Sequence, residues 1–263
     1  MSAALVPSWL ASGHGGTPLV LLHGMGSTAS IWLPQLEHFG RERLTVAWTM
    51  PGYGHSPAAA DIDWADLADA LEAMRVALRI ERMHLLGHSI GGMVAQEYIH
   101  RHPQRVASLI LSATTAGFGN PDLTWQQEFV RLRAEPLANV ARFGDAAPEL
   151  LRKFVGADTR PQMFRLAELS ADGVVKSQYL HYMRLLTTFD RKAALSDIAV
   201  PTLLMAGELD QQAPVKAMRR MAEHLRQVEL HEFAHINHMA NIESPDRFNH
   251  TVAAFLAAAE QDK

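Results

Sequence analysis

The chain has no cysteine, which excludes a disulfide framework and a thiolate metal site. It also lacks an excess of either charge. Its 24 Lys and Arg against 28 Asp and Glu leave a formal net charge of −4, so it carries no basic footprint for nucleic acid. No apolar run reaches the length of a membrane span. Met1 to Pro18 has neither a basic start nor a long apolar stretch, so it does not read as a signal peptide, and a cytoplasmic protein is expected. No internal repeat or low-complexity tract is present. What is there is a chain of 263 residues, 48% of them hydrophobic. That suits one large α/β domain, or one domain carrying an insertion.

Leu19-Val20-Leu21-Leu22, closed by His23-Gly24, is a continuous apolar run that fits a strand buried on both faces. Residues 30–39 read as a helix, 44–48 as a second strand, and Pro51-Gly52-Tyr53-Gly54 as a turn. Leu67, Leu71, Met74 and Leu78 recur at helical spacing within 64–79. Strand 82–87, helix 90–101 and strand 106–111 follow. Alternating strands and helices imply a mostly parallel central sheet with helices on both faces.

The alternation then stops. From Gly117 to Asp190 only helical patterns occur, over 124–134, 136–143, 147–155, 161–171 and 176–188. Strand 202–206, helix 214–226 and strand 228–233 restore the rhythm. A final helix opens at Ser244-Pro245, with a capping residue and a proline in the first turn. The expected organisation is an α/β core formed by 1–116 and 191–263, with 117–190 inserted as a helical lid. The lid carries Trp125, Phe129, Phe143, Phe154, Met163, Phe164, Tyr179, Tyr182 and Met183. Some of these are expected to line an apolar pocket for a small-molecule substrate and the rest to pack lid helices together. His181, Tyr182 and Arg184 share one helix and could hold a polar substrate group.

Gly87-His88-Ser89-Ile90-Gly91-Gly92 sits between strand and helix. Gly-x-Ser-x-Gly in that context is a nucleophile elbow. The pattern alone is a weak signal; strand before and helix after make it a strong one. Glycines at 87 and 91 clear space around a turn too tight for bulky side chains, and Ser89 is left exposed at the positive end of the helix. A serine hydroxyl needs a base and a group to orient that base. Loops at the carboxyl ends of later strands supply both. Glu208 and Asp210 are the candidate acids, and His235 and His238 the candidate bases. Backbone N–H groups of Ile90 and Met25 are positioned to receive the oxyanion formed on attack at a carbonyl.

One competing pattern occurs. Gly24-Met25-Gly26-Ser27-Thr28-Ala29 fits a relaxed dinucleotide fingerprint. The next strand, however, ends Val46-Ala47-Trp48-Thr49-Met50-Pro51, without the acidic residue that would bind ribose. No cofactor is therefore expected.

With these pieces in order, the chain resembles the α/β-hydrolase superfamily, in particular its lid-bearing, cofactor-free serine hydrolases of esterase or lactonase type. The resemblance runs from about Leu19 to Leu256. It is carried by Leu21-Leu22-His23-Gly24-Met25-Gly26, Pro51-Gly52-Tyr53-Gly54-His55-Ser56, the Ser89 elbow, Pro201 to Asp210, and His238 to Asn249. It implies that the acid is Asp210, at the end of a Gly-x-x-Asp loop. It implies that the base is His238, which precedes x-x-x-x-Glu-x-Pro ending at Glu243-Ser244-Pro245. The chain departs from the family in having His235-Ile236-Asn237 where relatives often have Gly-x-Gly. Its N-terminal segment is also short for the hairpin that usually opens the fold. His88 before the serine favours esterase-like over carbon–carbon-bond-cleaving members, which often carry Asn there. Serine rather than aspartate at the elbow argues against dehalogenase and epoxide hydrolase chemistry.

The expected activity is hydrolysis of a carboxylic ester or lactone through an acyl-enzyme on Ser89, with no metal. The alternatives are a carbon–carbon hydrolase or lyase of the same fold, and a ligand receptor that retains the triad.

Overall fold

The computed structural model describes residues 5–59, 61–118 and 122–261. Its strands are β1 (Trp9–Ser12), β2 (Leu19–Leu22), β3 (Thr45–Trp48), β4 (Met83–His88), β5 (Val106–Ser112), β6 (Thr202–Gly207) and β7 (Val228–Phe233). They form one seven-stranded sheet in the order β1-β3-β2-β4-β5-β6-β7. All neighbours are parallel except β1, which runs antiparallel to β3. Every residue of β2 to β6 is buried. This explains why their sequences are continuously apolar instead of alternating: helices cover both faces.

The helices are α1 (Leu33–Phe39), α2 (Trp64–Ala77), α3 (Ile90–Arg101), α4 (Leu123–Ala134), α5 (Phe143–Leu151), α6 (Pro161–Ala171), α7 (Lys176–Leu186), α8 (Val215–Ala222), α9 (Ala240–Glu243) and α10 (Pro245–Gln261). Local chemistry sets several boundaries. Asp63 starts α2 through a reciprocal cap: its side chain accepts from the Asp66 N–H, and the Asp66 side chain accepts from the Asp63 N–H, each at 2.9 Å. Among the described residues no helix is long and apolar enough to cross a membrane.

Three sequence readings differ from the structure. β1 is an edge strand that the sequence pattern does not announce, because it has four residues and three of them are exposed. Helices were expected over 136–143 and 147–155. The structure has a 3₁₀ turn at Glu135–Leu137 and then one helix, α5. Its start is fixed by the Asp145 side chain, which accepts from the Arg142 N–H at 3.0 Å. Gly144 lies in its first turn, where a Cβ would sit 2.3 Å from the Asp172 carboxylate. A short helix, α9, also precedes the expected final one.

The helical segment between β5 and β6 leaves and rejoins the sheet domain at one point. Gly117 and Asp190 form an antiparallel bridge, and the Phe118 N–H donates to the Phe189 carbonyl at 3.0 Å. Arg191 then anchors this root to α3, where its Nε donates to Glu97 at 2.6 Å. The segment also touches the loops above the sheet. Tyr182 Oη donates to the Pro51 carbonyl at 2.7 Å, and the Thr28 N–H donates to Ser170 Oγ at 2.9 Å.

The end of β2 and the start of α3 meet almost backbone to backbone. A Cβ on Gly91 would lie 2.4 Å from the Leu22 carbonyl oxygen and 2.7 Å from that of His23. Neither atom can move without dislodging β2. Gly91→Ala is therefore expected to destabilise the protein by about 1–3 kcal/mol, read from urea unfolding. A loss below about 0.5 kcal/mol, as for an indifferent surface change, would contradict this packing.

Candidate active site

Ser89 occupies the single residue between β4 and α3 with φ 53° and ψ −120°. A non-glycine residue there is strained by about 1–3 kcal/mol. Its neighbours hold it in place. The Ser89 N–H donates to the Ser112 carbonyl at 2.9 Å, extending the β4–β5 pairing by one residue. The Ser89 carbonyl accepts from Thr114 Oγ1 at 2.7 Å and from the Gly92 N–H at 2.9 Å. The first N–H groups of a helix have no partner within it, and the amide of Ile90, directly after the serine, is the first of them in α3. The amide of Met25, in the turn after β2, makes no backbone hydrogen bond to another described residue. The turn lies against the elbow: a Cβ on Gly24 would be 3.3 Å from Ser89 Cβ and 2.7 Å from the His88 ring.

The structure pairs Asp210 with His238. His238 Nδ1 lies 2.8 Å from Asp210 Oδ2, and both side chains are nearly inaccessible. The other Asp210 oxygen accepts from the backbone N–H groups of Gln212 at 2.7 Å and Ala213 at 3.1 Å. Burial pushes the carboxyl up, but the hydrogen bond and charge of His238 and the two amides outweigh it and hold Asp210 below the usual carboxylate value. An ionised Asp210 accepts the proton on Nδ1, so the Nε2 of a neutral His238 is left as an acceptor. Glu208 and His235 do not join the pair. Glu208 accepts from the His235 backbone N–H at 2.8 Å, and both side chains are exposed. His235 has φ 62°, the left-handed region that favours glycine, which accounts for relatives often having glycine there.

Two further histidines stand close by without charge. His23 receives the Met50 N–H on Nε2 at 3.0 Å and faces the Gly24 carbonyl through Nδ1 at 2.8 Å. Burial, against the Gly24 bond, lowers its pKa to about 4, so it serves as a neutral brace for the turn carrying Met25. The His88 ring lies 4.8 Å from that of His238. Burial, followed by the charge of His238, lowers its pKa to about 3.

Glu243 was read in the sequence only as a landmark of the segment after His238. Here its carboxylate closes the loop around that residue. Oε2 accepts from the N–H groups of Asn237 at 2.9 Å and Gly156 at 3.0 Å, and Oε1 from that of Met239 at 2.9 Å. The His238 N–H itself donates to the Phe154 carbonyl at 3.1 Å. The backbone on both sides of His238 is thus tied to one carboxylate, and the helical segment is tied to the same group. Burial raises the Glu243 pKa despite these amides.

Ser89, His238, Met25 and Gly24 line one cavity of about 110 Å³. For scale, an apolar cavity of about 150 Å³ holds benzene. The helical segment supplies part of its walls: Phe129, Phe143, Phe154, Tyr179 and Met183 line it, whereas Trp125, Met163, Phe164 and Tyr182 do not. His181, Tyr182 and Arg184 do not reach it either; His181 Nε2 lies 2.7 Å from the Ile62 carbonyl, and Tyr182 is spent on Pro51. Beside the histidines, Arg133 also lines the cavity, a residue that the sequence pattern does not single out. Among the described residues no three His, Asp or Glu side chains converge as a metal-ligand set.

This strand–elbow–helix, with a buried acid and histidine on the loops after β6 and β7, has the architecture of one class of protein. Residues 17–245 match the family described as the alpha/beta hydrolase fold, and the chain belongs to that family. It is 30% identical over 260 residues to a candidate carbamate hydrolase of Agrobacterium fabrum, covering 94% of this chain and 98% of the relative. It is 31% identical over 265 residues to the pimeloyl-[acyl-carrier protein] methyl ester esterase of Photobacterium profundum, covering 94% and 97% respectively. A thermophilic esterase of Thermogutta terrifontis superposes with a TM-score of 0.86 at 22% identity, over 96% of this chain and 93% of that one, a likeness of fold.

Glu243→Gln leaves one acceptor oxygen where the loop uses two, and sets an NH₂ against a backbone N–H. It is expected to lower stability by about 1–3 kcal/mol in chemical denaturation. A change below about 0.5 kcal/mol would mean that the His238 loop is held by other contacts.

Proposed function

We propose that the chain is a serine hydrolase that cleaves a carboxylic ester or lactone of a small to medium, largely apolar substrate through an acyl-enzyme. The observation that carries this reading is the buried Asp210–His238 pair at 2.8 Å, whose histidine lines the same cavity as the strained Ser89. Relatives named for methyl-ester and carbamate hydrolysis support attack at an acyl carbon.

In this reading Ser89 Oγ attacks the carbonyl carbon while His238 Nε2 takes its proton. Asp210 keeps the second ring proton on Nδ1 and stabilises the imidazolium that forms. The amide N–H groups of Met25 and Ile90 bind the oxyanion, whose charge develops only on attack. Collapse of the tetrahedral intermediate breaks the bond to the leaving oxygen, which receives the proton from His238. Water, deprotonated by His238, then releases the acyl group and restores Ser89. Residues 117–190 serve as a lid, which sets the acyl pocket and limits water around the acyl-enzyme.

The test is turnover of p-nitrophenyl esters of graded chain length by the wild type and Ser89→Ala. The expected loss in kcat is about 10⁶-fold, because triad members act as a unit. Retention of most activity in Ser89→Ala would overturn the proposal. Turnover of a vinylogous diketone without ester turnover would replace it with carbon–carbon cleavage, and binding without multiple turnover would replace it with a receptor.

A further inference from the structure

Among the described residues Arg133 is the one arginine or lysine that lines the cavity, and its surroundings do not account for its charge. It projects from α4, half-buried. Its guanidinium carbon lies 3.6 Å from the centroid of the Phe129 ring. Its hydrogen bond within the protein is a long one, from Nη1 to the Phe129 carbonyl at 3.4 Å. Among the described residues no carboxylate lies within ion-pair distance of it. Three other arginines of the same helical segment are treated differently, while Arg152 and Arg184, which carry no ion pair among the described residues either, are exposed to water. Arg131, Arg142 and Arg165 each hold a carboxylate at 2.7 to 3.0 Å, and all three are well exposed to water. The arginine that lines the cavity is thus partly dehydrated as well as unpaired. Burial, the largest influence on it, lowers its pKa.

A guanidinium partly removed from water, with one face stacked on an aromatic ring, is a site built to receive an anion. Its outward edge offers two parallel N–H groups that match a carboxylate. A single guanidinium neutralises one negative charge. A phosphate dianion would carry its second charge into walls formed by Phe118, Phe129, Phe143 and Leu150, which cannot compensate it. We propose that Arg133 is a carboxylate-binding residue, and that the substrate bears a free carboxylate separated by an apolar chain from the carbonyl placed at Ser89. The substrate class is then a half-ester of a dicarboxylic acid, or a lactone bearing a carboxylate. This inference rests on the hydrolytic reading of the cavity for its second half, and on the environment of Arg133 alone for its first.

Two experiments separate the halves. The first measures kcat/KM for monomethyl succinate, glutarate and adipate against the corresponding dimethyl esters, in the wild type, Arg133→Met and Arg133→Lys. At least one half-ester is expected to be preferred. The preference should fall by about 10- to 100-fold in Arg133→Met, the magnitude of a charge-assisted hydrogen bond, and be partly rescued in Arg133→Lys. The second measures calorimetric binding of the same half-esters and of inorganic phosphate to Ser89→Ala and to Ser89→Ala/Arg133→Met. Binding that needs Arg133, in a protein whose wild type turns over no ester, would sustain the anion site and overturn the hydrolytic reading. Ester turnover with no preference for any half-ester, or a preference that survives in Arg133→Met, would overturn the carboxylate proposal. Tighter binding of phosphate than of every half-ester would overturn it as well.

Discussion

The site depends on the backbone of Ser89 being held where a side-chain-bearing residue does not rest by itself. Its φ of 53° is maintained because the Ser112 carbonyl captures its N–H and Thr114 captures its carbonyl. Both partners belong to the end of β5 and the loop that follows it. The strain at the elbow is therefore sustained by the parallel pairing of β4 with β5 in the middle of the sheet. Glycine at 91 allows α3 to start directly over β2, and that approach sets the Ile90 amide beside the serine. The His23–Gly26 turn enters the same space from β2, braced by a neutral histidine that is bonded at both ring nitrogens.

The opposite wall is organised by two carboxylates that act on backbone amides. Asp210 uses one oxygen on its own loop and the other on His238. Glu243 binds the amides on either side of His238 and that of Gly156. The histidine is thus fixed at its ring by one acid and at its backbone by the other. Because Gly156 and Phe154 share in this bonding, the segment that shapes the cavity and the loop that carries the histidine form one hydrogen-bonded unit. A change in the helical segment near 154–156 acts on His238 through the main chain.

Much of this was legible in the sequence, and the remainder was not for identifiable reasons. Buried parallel strands announce themselves as uninterrupted apolar runs, so β2 to β6 are readable; β1 is four residues at an exposed edge and has no such pattern. The elbow is readable because the turn imposes glycine at 87 and 91. The choice between Glu208 and Asp210, and between His235 and His238, was not decided by the residues themselves, since loop conformation alone puts one pair inside and the other in water. Resemblance pointed to the pair that the structure brings together. Glu243 was visible as a position but not as a clamp, because its three partners converge only when a loop and the helical segment meet. Arg133 was invisible for a similar reason. Which side of α4 faces the cavity is settled by packing against α7 and the loops below, and the helical segment contains several other arginines that simply pair on the surface.

The central claim is that Ser89 is activated by the buried His238–Asp210 pair. It is tested most directly by treating the folded protein with a fluorophosphonate and mapping the adduct by peptide mass spectrometry. The account predicts a single covalent adduct, on Ser89, that forms far more slowly in His238→Ala. No adduct on Ser89 in the folded wild type, or labelling at an equal rate without His238, would contradict it.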